Sequence, residues 1–301
     1  MANEGLDLFA DGFSFLELPR WHEGRLWTAD MLAGQVVAFA ANGAAQVVMT
    51  VPEVLAGFGW IPGGGLLVVT RGGRLLRQEA GPVVELASPL SGGPVPCNEM
   101  TVDGQGRAYI GLFGLAGGGL ARVDPDGSAR VVAEGLLLPN GQALSADGRT
   151  LIVAESAGQR LSAFTVGADG SLTGRRVWAS FGEPATATTL PEVIAQVSVW
   201  PDGIALDAAG AVWVANPFGR EVLRVVEGGE ITDRLSTGEL ACYACALGGP
   251  DGHTLFLCAA PPFLDEAARR TRRSARLLTC RVSVPAARRV LGVPGLSRGD
   301  D

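Results

Sequence analysis

The sequence predicts an all-β chain, a six-bladed β-propeller with four-stranded blades, in which residues 1–301 form one domain. Three observations predict it. A phrase of short strand, polar turn, glycine and second apolar strand recurs six times, as in "NEMTVDGQGRAYIG" from Asn98 and "DGIALDAAGAVWVAN" from Asp202. Its turn glycines, Gly24, Gly65, Gly106, Gly148, Gly210 and Gly252, are 41, 41, 42, 62 and 42 residues apart, which is the length of a propeller blade. No long stretch carries helical periodicity over several turns.

The elements follow in order. "PRWHEGRLWTAD" from Pro19 is continued by "QVVAFAANG" and "AAQVVMTV", which supply two further strands. "WIPGGGLLVVT" from Trp60, the Asn98 phrase and "NGQALSADGRTLIVAE" from Asn140 open the next three units. The step of 62 holds "GEPATATTLPEVIAQVSVW" (182–200), whose Pro and Thr content predicts a loop, of the kind that often covers a binding site. "VWVANPFG" is followed by "REVLRVVEGG" and "EITDRLST" in the fifth unit, and "CALGGPDGHTLFLCAA" opens the sixth. "LDEAARRTRRSARLL" (264–278) reads as a charged, solvated loop leading into a strand. Residues before Glu17 are expected to add an outer strand to the last blade and close the ring.

Composition narrows the function. Hydrophobic residues make up 47% of the chain, and its mean hydropathy of +0.25 suits a large core. A formal charge of -7, with 24 basic and 31 acidic residues, argues against a nucleic-acid partner, which needs a basic face. "MANEGLDLFADGF" lacks the apolar segment of a secretion signal, and no apolar run approaches the roughly 20 residues of a membrane span. A cytoplasmic protein is expected, of oligomeric state the sequence does not specify. Five cysteines, an odd number, are then expected to be reduced. "CYAC" (Cys242, Cys245) has zinc-like spacing but no second pair and no nearby His, which points away from metal or redox chemistry there. All 24 basic residues are arginine and no phosphate loop with its Lys is present, against nucleotide hydrolysis. With only His22 and His253 and no Gly-x-Ser-x-Gly, a Ser-His-Asp triad is not expected.

Register points to a site. Asn98, Asn140 and Asp202 each lie eight residues before the turn glycine of their unit, and Glu17 lies seven before Gly24. Equivalent positions in a propeller form a ring about the axis, so these four oxygen-bearing side chains should converge on one end of the channel. Blade two offers Gly57 or Phe58 there and blade six Ala244, neither of them a ligand. Asn-Gly and Asp-Gly are also ordinary turn pairs; the shared offset, together with Glu17, favours a site. Two carboxylates and two amide oxygens suit a hard divalent cation, Ca²⁺ or Mg²⁺, and tolerate Mn²⁺ or Zn²⁺.

The combination of Glu17 before "PRW" with "NEMTVDGQGRAYIG", "LPNGQALSADGRTLIVAES", "PDGIALDAAGAVWVAN" and "CALGGPDGHTLF" resembles the SMP-30/gluconolactonase/LRE family over nearly the whole chain. The resemblance implies a calcium-dependent six-bladed propeller that hydrolyses lactones or related esters. It places the metal ligands at Glu17, Asn140 and Asp202, the general base at Asp202, and a further polar channel residue at Asn98. Two positions depart from the family pattern. An Arg often found two residues before the channel Asn is Pro96 here, and the usual Asn-Asp pair is Asn98-Glu99; both changes weaken the expectation of a sugar substrate. Asn98 and Glu99 are expected to orient a small-molecule substrate, with Trp60, Phe113 and Tyr243, and also Phe58 and Trp200, as aromatic lining or as ordinary blade packing. The expected chemistry is metal-assisted hydrolysis with Asp202 taking a proton from water. The same mouth acting as hydrolase or cyclase on a specialised metabolite, or a binding propeller with a structural ion, remain the alternatives.

Overall fold

A computed structural model of the chain describes residues 5–79, 81–86, 90, 93, 95–115, 117–262 and 265–287. Among the described residues twenty-four strands form six antiparallel four-stranded sheets, the blades of one propeller. Blade one is β2–β5 (Leu16–His22, Arg25–Asp30, Gln35–Phe39, Ala45–Thr50) and blade two β6–β9 (Leu55–Trp60, Leu66–Thr70, Leu75–Gln78, Val84–Leu86). Blade three is β10–β13 (Cys97–Val102, Ala108–Leu112, Gly118–Val123, Ala129–Leu136) and blade four β14–β17 (Pro139–Leu144, Thr150–Glu155, Arg160–Val166, Leu172–Ser180). Blade five is β18–β21 (Ile204–Leu206, Val212–Asn216, Glu221–Val225, Ile231–Ser236). Blade six takes β22–β24 (Ala241–Gly248, Thr254–Ala260, Ala275–Arg281) and completes itself with β1 (Asp7–Phe13) on its outer edge. β1 pairs antiparallel with β24, Asp7 opposite Thr279 and Phe13 opposite Ala275, so both ends of the described chain share one sheet and the ring closes as expected.

The blades pack face to face through apolar layers, each drawn from two neighbouring sheets. Leu55, Phe58 and Val68 of blade two meet Ala29, Val36 and Met49 of blade one, and Val212, Val214 and Leu223 of blade five meet Ile152, Leu161 and Trp178 of blade four. Burying these β-branched and aromatic side chains on both faces of every sheet stabilises the ring at roughly 25 cal/mol per Å² of apolar surface. The repeat glycines turn the first hairpin of each unit: Gly24, Gly106, Gly148, Gly210 and Gly252 have φ of 74, 81, 69, 82 and 83°, a left-handed conformation that side chains resist. Blade two turns instead at Gly63 and Gly64, with φ of 94 and 90°.

Among the described residues two α-helices interrupt the strands. Within 182–200, which is otherwise the expected loop, α1 (Leu190–Gln196) forms a short helix with Pro191 in its first turn. In the 264–278 segment the expectation of a loop is corrected: α2 (Glu266–Arg272) precedes β24. Asp265 caps α2 by accepting from the Ala267 and Ala268 amides at 2.8 and 3.3 Å, and Arg269, Arg270 and Arg272 occupy its last turn, where cations favour the helix dipole. Among the described residues no helix is long and apolar enough to cross a membrane. All five cysteines are free and buried; burial pushes the Cys97 and Cys280 thiols up to about 11. Cys242 and Cys245 are core residues of blade six.

Candidate active site at the channel mouth

The innermost strands β2, β6, β10, β14, β18 and β22 all start at the same end of the channel. A register irregularity marks five of these starts, at Glu17–Arg20, Leu55–Gly57, Asn98–Met100, Pro139–Gln142 and Cys242–Ala244. Leu18 and Glu99, directly after two ring residues, have φ of 59 and 55°, strained values of the kind that collect at functional sites.

Neighbouring rim segments are joined by their backbones. The Gly141 amide donates to the Asp202 carbonyl at 3.2 Å, and the Gly203 amide to the Tyr243 carbonyl at 2.9 Å. This contact explains Asn140-Gly141 and Asp202-Gly203, which are not turns. A Cβ on Gly141 would lie 2.4 Å from the Asp202 carbonyl oxygen, and one on Gly203 would lie 2.5 Å from the Ala244 Cβ. Glycine here lets innermost strands approach, whereas in the hairpins it supplies φ.

Four oxygen-bearing side chains stand on this rim. Asn140 Nδ2 donates to Ser156 Oγ at 3.3 Å, and Ser156 Oγ donates to the Pro201 carbonyl at 2.6 Å, tying the Asn140 side chain to the segment before Asp202. Asn98 Nδ2 reaches the Pro139 carbonyl at 3.4 Å. Asp202 is buried. Burial pushes its carboxyl well up and the charge of Glu99 adds to the shift, while hydrogen bonds from Asn140 and the Gly203 amide oppose it. Half-buried Glu17 is likewise pushed well up, by burial first and then by the charges of Asp202 and Glu99, against a pull from Arg269. Glu99 is raised by burial although Arg20 and the Met100 amide favour its charged form. Three carboxylates thus share one low-dielectric site, an arrangement that disfavours their ionisation without added positive charge.

The other site expectations divide. Tyr243 is at the mouth, edge-on to Phe15 with ring centroids 4.9 Å apart. Phe113 is also at this end, its amide bound to the Pro96 carbonyl at 2.8 Å. It packs with Trp200, Leu138 and Val193 of α1, so the 182–200 segment is built onto the mouth. Gln159 holds that segment, accepting from the Ser198 and Val199 amides at 2.8 and 3.2 Å. Trp60 is corrected: it is the last residue of β6, paired with Leu66 at the opposite end of the channel. There it stacks on His22, centroids 3.8 Å apart, because β6 runs away from the mouth and carries Trp60 with it. Phe58 is fully buried between blades one and two. Glu99 does not project freely, for Arg20 Nη2 binds its carboxylate and also donates to the Met100 carbonyl at 2.9 Å.

Three mouth residues had no mark in the repeat pattern: Arg20, Ser156 and Arg269. Arg20 stands three residues after Glu17, Ser156 just after a strand end, and Arg269 among the arginines read as solvated.

The molecule is a six-bladed propeller with the Glu17, Glu99 and Asp202 carboxylates near one another at one channel mouth. The chain belongs to the SMP-30/gluconolactonase/LRE-like family, whose profile matches residues 15–261. It is 29% identical over 249 residues to a 6-deoxy-6-sulfogluconolactonase of Pseudomonas putida, covering 80% of this chain and 81% of that protein. To a pentonolactonase of Haloferax volcanii it is 27% identical over 249 residues, covering 81% of each. Among solved structures it resembles a calcium-binding regucalcin of Agrobacterium tumefaciens, with a TM-score of 0.75, 20% identity and coverage of 95% of both chains.

Proposed function

We propose that the protein is a hydrolase that opens a lactone or related ester of a small molecule at the channel mouth, with a divalent cation, Ca²⁺ foremost, as its partner. The convergence of Glu17, Asn140 and Asp202 on one rim, in a chain related to two lactonases, is the observation that carries this reading. The donor set fits a hard cation, since buried carboxylates whose charges oppose one another gain from a divalent partner. Among the described residues no cluster of three or more His, Cys, Asp or Glu side chains that could hold a metal ion is present; the set proposed here is the Glu17 and Asp202 carboxylates with the Asn140 amide oxygen. Glu17, Asn140 and Asp202 would hold the ion; when bound it supplies Lewis-acid polarisation of the substrate carbonyl.

The residues themselves do the rest. Asp202 takes the proton from the attacking water, a role that suits a carboxylate buried at the rim and held by Asn140. Asn140 and the Gly203 amide hold that carboxylate in place, and Asn98, whose Nδ2 reaches the Pro139 carbonyl at 3.4 Å, orients the substrate from the neighbouring blade. The Phe113, Trp200 and α1 cluster shields one side of the mouth from water. The test is hydrolysis of aldonolactones, aliphatic lactones and aryl esters by pH-stat, on stripped protein with Ca²⁺, Mg²⁺, Mn²⁺ or Zn²⁺ restored, beside Asp202→Ala. Activity restored by metal and absent in the variant supports the reading; activity indifferent to both sinks it.

A further inference from the structure

We propose that the Tyr243 hydroxyl, backed by the Arg269 guanidinium, donates the proton that the departing oxygen of the substrate requires. The inference rests on the hydrolase reading above and adds what that reading lacks. A base at Asp202 accounts for the proton leaving water, but ring opening also creates an alkoxide, a poor leaving group unless protonated as the bond breaks.

Arg269 is brought to the mouth by α2, and α2 is fastened across the rim. Arg270 donates to the Leu32 carbonyl in blade one, Glu266 pairs with Arg71 of blade two at 2.7 Å, and Arg273 Nε donates to the Gly12 carbonyl at 2.9 Å. Arg269 itself turns inward and is only 5% exposed, which is uncommon for arginine without a function or a partner. Its guanidinium lies over the Phe15 ring at 4.1 Å and the Tyr243 ring at 5.0 Å, and Nη2 donates to the Tyr243 hydroxyl at 2.8 Å.

The position of this pair follows from the chain. Phe15 lies two residues before Glu17, and the Tyr243 carbonyl accepts from the Gly203 amide beside Asp202. Tyr243 therefore sits on the rim between the blades that carry the two carboxylates. A phenolic oxygen accepts and donates at once. Arg269 fills the accepting side, and among the described residues nothing accepts from the Tyr243 O–H.

Other donors are committed or remote. The Ser156 hydroxyl donates to Pro201, and Glu99 is held by Arg20 and by the Met100 amide. His22 ends β2 against Trp60, and His253 lies in the turn before β23, both at the far end.

In the proposed step the acyl C–O bond breaks and its electron pair passes to the departing oxygen, which takes the Tyr243 proton. The resulting phenolate faces the Arg269 cation and regains a proton from solvent, while Asp202 releases the one it took from water. The net change is addition of one water across the ester bond.

The test compares leaving groups in the wild type and in Tyr243→Phe, which keeps the ring on Phe15, assayed with added Ca²⁺. δ-Valerolactone leaves as an alkoxide, whereas 4-nitrophenyl acetate leaves as a stable phenolate that needs no proton. The expected result is a fall in kcat of about 100-fold on the lactone, the lower range for a lost general acid, with the aryl ester changed less than about threefold. Arg269→Gln should lower lactone kcat selectively in the same way, with the melting temperature of both variants recorded. An equal loss on both substrates, or none on the lactone, overturns the assignment while leaving the hydrolase reading intact. A wild type inactive on every lactone and ester overturns both.

Discussion

The guanidinium of Arg20, in blade one, holds the carboxylate of Glu99, in blade three, although blade two stands between them in the ring. Gly57 contributes to this reach: a Cβ there would lie 2.4 Å from the Met100 Cβ, so β6 and β10 close up as side chains would not permit. Arg20 also donates to the Met100 carbonyl at 2.9 Å. The pair therefore locks the backbone beside Asn98, where Glu99 itself has φ of 55°.

Removing one partner strands the other. Arg20→Met leaves a buried carboxyl without its cation, and unfolding by urea should show a loss of about 3 kcal/mol. The double variant Arg20→Met/Glu99→Gln should recover part of that loss, because the uncompensated charge is gone. If the losses of Arg20→Met and Glu99→Gln, each measured alone, simply add in the double variant, the pair is not coupled and this account of the rim is wrong.

Gly203 and Gly210 allow a paired comparison, since glycine is required for different reasons. Gly203→Ala sets a methyl 2.5 Å from the Ala244 Cβ and 2.6 Å from its Cα, so backbone beside Asp202 must move. A destabilisation of about 3 kcal/mol and loss of activity are expected. Gly210→Ala meets nothing within 4 Å but must hold φ of 82°, which costs about 1–2 kcal/mol at the end of the channel remote from the rim. Melting curves with lactone assays would separate them; full activity in Gly203→Ala would refute the role given to that contact.

Much of this was legible in the sequence because a propeller repeats. The 41- and 42-residue steps carry the blade count, and equal offsets from turn glycines carry Asn98, Asn140 and Asp202 to one rim. Direction along a strand was not legible in the same way. Trp60 lies two residues after Phe58, yet six residues of β6 separate the two ends of the channel and Trp60 is at the wrong one. Arg20 and Arg269 were illegible for another reason. Their partners are 79 and 26 residues away in the chain, and a pairing across blades, or between an inserted helix and the innermost strand of its own blade, leaves no local periodicity. α2 was masked by its charge, although Asp265 and "EAAR" do form a capped helix start.

Gln159 is the anchor of the 182–200 segment. Besides its bonds to Ser198 and Val199, its Nε2 donates to the Glu183 carbonyl at 2.5 Å, so one side chain fastens both ends of the insertion. Gln159→Ala should expose this segment to limited proteolysis at residues 183–198 and speed its amide exchange, while the blades stay protected. The KM for lactones should change more than the melting temperature. A segment equally protected in the variant would show that α1 and Val193 hold it unaided.

Glu155 gives stability a defined dependence on pH. Its carboxylate is fully buried at the end of β15, where Arg160 and Arg175 pair with it at 2.8 and 2.9 Å. The Leu137 amide donates to it at 2.9 Å, and the Ser162 hydroxyl donates as well. Burial alone would raise its pKa, but these hydrogen bonds and the Arg160 charge outweigh that, and the folded value lies below the ordinary 4.5. Since the unfolded chain binds the proton more readily, the contribution is complete above about pH 4.5 and is lost as pH falls through the depressed folded value. Glu155→Gln should then cost about 3 kcal/mol at pH 7, where two arginines lose a buried partner. The gap between variant and wild type, followed by urea unfolding from pH 7 downward, should stay level to about pH 4.5 and narrow below it. A gap that widens on acidification would mean that the carboxyl is raised, and that burial rather than the two arginines governs it.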